Sequence, residues 1–177
     1  MGVVKSLIVI ALLGASGPVL AAPAGGAPDP EPVRVCVDGK VYDAETKTCV
    51  DPKDSRLDDR QRLDAATRLA EAGQTDQAFA ILADVRDKTS DNALTVLGFA
   101  HRKAGNMGLA ERYYKAAIAQ NPDNFLARSY YGLGLLAQGE TGAAQAQLSE
   151  IRRRGGRGTL AEASLYIALK SGQAKAY

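Results

Sequence analysis

Three glycines constrain this chain more than anything else in it. Gly73, Gly105 and Gly139 recur at intervals of 32 and 34 residues, and the same kinds of side chain follow each at fixed offsets. Five residues on stand Ala78, Ala110 and Ala144; four further come Leu82, Tyr114 and Leu148; three beyond those are Val85, Ala117 and Ile151. Offsets of i, i+4 and i+7 place these residues on one stripe of a helix, so each glycine reads as a turn between two helices. One helix pair cannot bury its own apolar stripe, and the chain therefore has to stack pairs into a continuous core. Ala78, Ala110 and Ala144 allow the paired helices a close approach, Gly98 and Gly132 do the same from the first helix, and Tyr114 and Leu148 fill the space toward the next unit. After the third pair, Thr159 to Ser171 aligns Ala161, Leu165, Ala168 and Leu169 on one face and stops at Gly172, which predicts a helix closing the open end. Glu162 and Lys170 fall outside that stripe.

The best unit, Asp91 to Asn124, carries Leu94, Leu97-Gly98, His101, Gly105, Ala110, Tyr114, Ala117 and Pro122. In these residues it resembles the tetratricopeptide repeat, whose pattern has bulky, Leu-Gly, aromatic, Ala, aromatic, Ala and Pro at these offsets. Residues 125–156 follow with Tyr131-Gly132, Leu135, Gly139, Ala144, Leu148 and Ile151 but lack the closing proline. Residues 59–90 are a shorter unit with Ala65-Ala66 where Leu-Gly is usual. The resemblance covers a little over half of the chain and is to the small exported bacterial type of such proteins. It implies an all-α fold: a right-handed superhelical array of about three helix pairs over 55–157, with a capping helix and tail over 158–177.

It also implies a partner-binding groove on the concave face, lined by the first helix of each pair. Here that face would display Arg60, Leu63 and Thr67, then Asn92, Thr95, Phe99, Arg102 and Lys103, then Leu126, Ser129, Leu133 and Leu136. A carboxylate clamp of the chaperone-binding type needs Lys, Asn and Arg where this chain has Leu63, Thr67, Val96, Leu126 and Tyr130, so that clamp is absent. The face reads as apolar toward the third repeat and basic around Arg102 and Lys103, which suits an amphipathic helix with acidic flanks. In the competing reading the terminal helix covers part of this face as core.

The N-terminal third sets the compartment. Lys5, the apolar run Leu7 to Leu13, the breakers Gly14, Gly17 and Pro18, and small Val19 and Ala21 read as a secretory signal over residues 1–21. The apolar stretch is too short for a spanning helix, which needs roughly 18 to 20 residues. Residues 22–33 hold four of the seven prolines and read as an extended leader. Residues 34–54 alternate apolar and polar side chains around Asp38-Gly39, a hairpin signal whose turn wants positive φ. In an exported chain Cys36 and Cys49 are expected to pair, stapling a piece too small to build its own core. The spacing Cys36-x-x-Gly39-x-x-Tyr42-Asp43 also looks like one corner of peritrophin-type chitin-binding modules, although those need more cysteines than this chain has.

Little here points to bond-making chemistry. The chain lacks G-x-S-x-G, H-E-x-x-H and a Walker loop, and one histidine with two cysteines is too small a stock for a multi-ligand zinc site. His101 stands where the repeat puts a packing aromatic and is read as structural. Asp58 and Asp59 are read as favourable charge at a helix start. Arg152-Arg153-Arg154 with Arg157 either satisfies a helix C-terminus or holds an acidic partner or anionic lipid. A formal net charge of +2, from 22 basic and 20 acidic residues, carries no field suited to nucleic acid. The expectation is a non-enzymatic adaptor, periplasmic or secreted, with no cofactor and no metal, meeting the membrane only before signal cleavage. Its partner is a protein or peptide segment, most naturally an envelope protein. The alternative is a cell-wall saccharide binder, with peptidoglycan as partner, that uses the Cys36–Cys49 hairpin.

Overall fold

The computed structural model describes Cys36 and residues 38–174. The expected signal segment and leader, and the last three residues, lie outside the described residues. A short hairpin, β1 (Val41–Asp43) and β2 (Thr48–Val50), precedes seven helices: α1 (Asp59–Glu71), α2 (Thr75–Ala83), α3 (Asp91–Lys103), α4 (Met107–Gln120), α5 (Phe125–Ala137), α6 (Thr141–Arg153) and α7 (Leu160–Ser171).

The recurrent glycines are where they are because of backbone geometry. Gly73, Gly105 and Gly139 have φ of 78°, 81° and 83°, a region that only glycine enters without strain. In each case the next amide closes the helix by donating five residues back: Gln74 to Leu69 O, Asn106 to His101 O, Glu140 to Leu135 O. This six-to-one bond with a left-handed glycine satisfies orphaned carbonyls and reverses the chain at once. The opposite ends follow a rule too. Asp58, Ser90, Asn124 and Thr159 cap α1, α3, α5 and α7 with a side-chain oxygen, and Asp58 closes a full capping box with Gln61.

Helices pair as α1 with α2, α3 with α4 and α5 with α6, and each pair packs on the next: α1 and α2 on α3, α3 and α4 on α5, α5 and α6 on α7. The alanines at the crossings are buried, Ala78 and Ala144 at 0% exposure and Ala110 at 2%. A β-carbon built on Gly98 would come within 2.7 Å of the Tyr114 ring, and one on Gly132 within 2.6 Å of Leu165. Gly98 thus allows the close approach of its own pair, and at Gly132 the nearest side chain is Leu165 of α7.

The hairpin is antiparallel, with Val41 opposite Val50, Tyr42 opposite Cys49 and Asp43 opposite Thr48. Its disulfide joins Cys36 to Cys49. The turn differs from expectation. Asp38 and Gly39 do take positive φ, yet they lead into β1, and the strands are joined by Ala44 to Lys47. The cause lies in Asp43, whose carboxylate accepts from the Glu45 amide and the Thr46 hydroxyl and so folds the chain one strand later. Val41 and Leu57 join the core cluster that α1 and α2 build.

What holds this unit against α1 is Arg62, 2% exposed. Its guanidinium donates to the carbonyls of Pro52, Asp54 and Leu57 at 2.8, 2.9 and 2.8 Å. Arg128, at the same distance from its own cap in α5, donates to Pro122 O at 2.8 Å and to the Gln147 side chain at 3.2 Å.

Candidate functional site

Along α1, residues Arg60, Leu63, Asp64 and Thr67 share one face through their i, i+3, i+4 and i+7 spacing. In α3, Asn92, Thr95 and Val96 share the facing surface, and Leu126 stands in the first turn of α5. Together with Asp59, Asp87 and Ser90 these residues line a cleft of about 520 Å³. Half of the expected groove is thus brought together: Arg60, Leu63, Thr67, Asn92, Thr95 and Leu126.

The other half is elsewhere. Phe99 is fully buried and stacks on Tyr130, with ring centroids 4.7 Å apart. Ser129 and Leu133 are also buried, and Leu136 packs half-buried against the core. α7 packs on α5 with Leu165 at Gly132, a position outside the expected groove residues. Arg102 does not offer its charge to an incoming ligand. Its guanidinium carbon lies 5.3 Å from the Phe99 centroid and 5.8 Å from that of Tyr130, and the side chain turns into a small cavity beside Tyr114, Glu111 and Gly134. Burial raises the Tyr114 hydroxyl pKa, and the nearby Arg102 charge opposes that rise. Lys103 sits over Phe99 at 5.6 Å.

The chemistry of the cleft is set by what remains unbound. Leu63, Val96 and Leu126 make it apolar within. The Thr67 hydroxyl donates to Leu63 O at 2.8 Å, and that of Thr95 donates to Asp91 O at 2.6 Å while accepting from Asn124. Three carboxylates give the mouth its charge. Burial would raise the Asp59 pKa, but the amides of Arg86 and Asp87, donating at 2.9 and 2.8 Å, outweigh it and hold the group below its ordinary value. The Thr89 hydroxyl and amide do the same for Asp87. Asp64 is exposed and has no ion pair or side-chain hydrogen bond among the described residues. Nor do the described residues contain a group of three or more His, Cys, Asp or Glu side chains able to hold a metal ion.

Asp64 was findable from the sequence, because it lies one turn from Arg60. Asp87 was not, since it reaches the cleft from the α2–α3 connection. Asp59 stands in the first turn of α1, as the helix-start reading has it, and also fastens that connection from 27 and 28 residues away.

The arginine run is spent within the fold. Arg152 pairs with Glu162 at 2.6 Å and lies over Tyr166; Arg153 pairs with Glu150 at 2.6 Å; Arg154 reaches Asp123 at 3.0 Å and Glu150 at 3.1 Å. These guanidinium groups meet carboxylates rather than the helix-terminal carbonyls, and Arg153 and Arg154 hold Glu150 down to about 2. Arg157 is exposed.

His101 packs between Phe79 at 4.7 Å and Tyr113 at 5.3 Å, bridging α2, α3 and α4. Its Nδ1 is buried without a partner, and burial holds its pKa below the ordinary value. The unfolded chain therefore takes up a proton first as pH falls from about 6.5, so stability declines from there down to the folded-state pKa. Denaturant midpoints across this range are expected to show the decline, and His101→Phe should flatten it. An unchanged pH slope in the variant would clear His101 of that role.

No protein-family model, no curated protein and no solved structure matches this chain. No helix among the described residues is long and apolar enough to cross a membrane. The Cys36–Cys49 bridge is compatible with an exported protein.

Proposed function

We propose that the chain is a tetratricopeptide-type adaptor of the periplasm or extracellular space that holds a segment of another protein, without enzymatic activity. Its three helix pairs and α7 would form the right-handed array, with repeats over 59–90, 91–124 and 125–156. The observation that carries this reading is the cleft walled by α1 and α3 and reached by α5, all first helices of their pairs, with Leu63, Val96 and Leu126 available to an apolar side chain. The saccharide alternative has less behind it: Tyr42, the hairpin's aromatic side chain, is half-buried, whereas sugar platforms are exposed aromatic faces.

A photoreactive side chain at Asn92, in the cleft, is expected to give a discrete adduct with an envelope protein, while one at exposed Gln145 on α6 gives none. Leu126→Gln should reduce the adduct several-fold without altering the circular dichroism. Equal adducts from both positions would remove the groove from the account, and retention on peptidoglycan lost on mutating exposed hairpin residues would favour the saccharide reading.

A further inference from the structure

We propose that the segment taken by the cleft is cationic: an aliphatic side chain seated on Leu63, Val96 and Leu126, with a lysine or arginine about one helical turn away paired to Asp64. The inference rests on the groove reading above and adds the charge of the partner, in the sense opposite to the acidic flanks expected from the sequence.

That expectation depended on Arg102 and Lys103 lining the groove, and neither lines this cleft. Arg102 is turned inward beside Tyr114 and Lys103 lies on Phe99. Asp59, Asp64 and Asp87 line the cleft together with Arg60, and the Asp59 charge is offset by the Arg62 guanidinium 3.6 Å away. Asp59 spends both oxygens on amides of the α2–α3 connection and faces Arg62, and Asp87 spends Oδ1 on the Thr89 amide and hydroxyl, so both are tied to that connection. Asp64 has no such commitment. Arg60 precedes it by one turn on the same helix face but makes no ion pair with it within 4.0 Å, and basic-before-acidic is the weaker order for such a pair along a helix. An incoming cation near Asp64 would meet a free carboxylate with the Asp87 charge at the same cleft, and an incoming carboxylate would be repelled by both beside apolar walls. The chain's own leader, residues 22–33, has Asp29 and Glu31 and no basic residue, and so carries the wrong sign for this cleft.

The test uses the protein after signal cleavage and three short amphipathic peptides that share one Leu/Ala face and carry Lys, Gln or Glu on its flanks, titrated by fluorescence anisotropy. The Lys peptide is expected to bind about tenfold more tightly than the Glu peptide at low salt, with the gap shrinking severalfold near 0.5 M salt. Asp64→Lys should reverse the order, and Leu126→Gln should weaken all three peptides alike. Equal binding of the three that still depends on Leu126 would overturn the charge assignment and leave the groove standing. Tighter binding of the Glu peptide would overturn it too, as would a concentration-dependent dimer abolished by Asp64→Lys, which would make a second copy the occupant. Failure of all three to bind would remove the groove reading and this inference together.

Discussion

Replacing Arg62 with leucine is expected to destabilise the protein by about 3 to 5 kcal/mol and to loosen the disulfide-closed unit from α1. The reason is geometric. The connection between β2 and α1 turns three carbonyls, those of Pro52, Asp54 and Leu57, toward a single point, and a planar guanidinium with five donors is the side chain that can meet all three. Leucine fills part of the volume but leaves the Pro52 and Leu57 carbonyls without the guanidinium donors and Asp54 O with the Leu57 amide alone. Lysine brings charge as a single point and should recover only part of the loss. Asp59, 3.6 Å from the guanidinium, would lose its cation as well, and with it some of its hold on the amides of Arg86 and Asp87. For a folded unit of this size the loss corresponds to a fall in melting temperature of about 10 °C or more. Hydrogen exchange should rise first in residues 52–57. A melt within a degree or two of wild type would show that the loop is held by Val41 and Leu57 packing instead.

Arg62 also shows where reading the sequence stopped. Its partners are main-chain carbonyls, which have no residue type and leave no pattern, so a lone arginine in an apolar stripe could only be read as surface. The turn glycines were legible for the opposite reason: positive φ restricts residue choice, and a recurring demand becomes a recurring letter. Crossing alanines were legible likewise, since a close helix approach excludes larger side chains wherever it recurs. The groove fell between these cases. Helical spacing places Asn92, Thr95, Val96 and Phe99 together, but not what lies opposite them. Tyr130 covers Phe99, while Asn92 is exposed among the described residues, and that difference is made by α5. Asp38-Gly39 is a further instance. The pair takes the predicted backbone shape, but the hairpin reverses where the Asp43 carboxylate finds local donors. Turn propensity is local, and the choice between two adjacent turns is decided by the strand register that follows.

Gly98→Ala is expected to cost about 2 to 3 kcal/mol, although alanine is the better helix former by about 1 kcal/mol. The added carbon would come within 2.7 Å of two ring atoms of Tyr114 and 3.2 Å of the Ala110 carbonyl oxygen. Tyr114 is 1% exposed, with Tyr130 and Tyr131 at ring-centroid distances of 6.4 and 6.3 Å, and so has little room to yield. Gly132 occupies the same place after its cap, yet its added carbon would meet methyl groups of Leu165, at 2.6 and 2.8 Å. These are the ends of a flexible side chain, but Leu165 is itself 0% exposed and its Cγ lies 3.3 Å away, so Gly132→Ala should cost somewhat less than Gly98→Ala, about 1 to 2 kcal/mol. Gly108, with nothing within 4 Å of an added carbon, supplies the control, and its alanine variant should gain up to about 1 kcal/mol. Urea unfolding of the three variants reads these signs directly. Gly98→Ala behaving like Gly108→Ala would mean that α3 and α4 do not approach as closely as their spacing requires. The expected loss has a further signature, because each helix pair touches only its neighbours and the α3–α4 pair is the link between α1–α2 and α5–α7. Weakening that link should lower the denaturant slope as well as the midpoint, as the two ends begin to unfold separately.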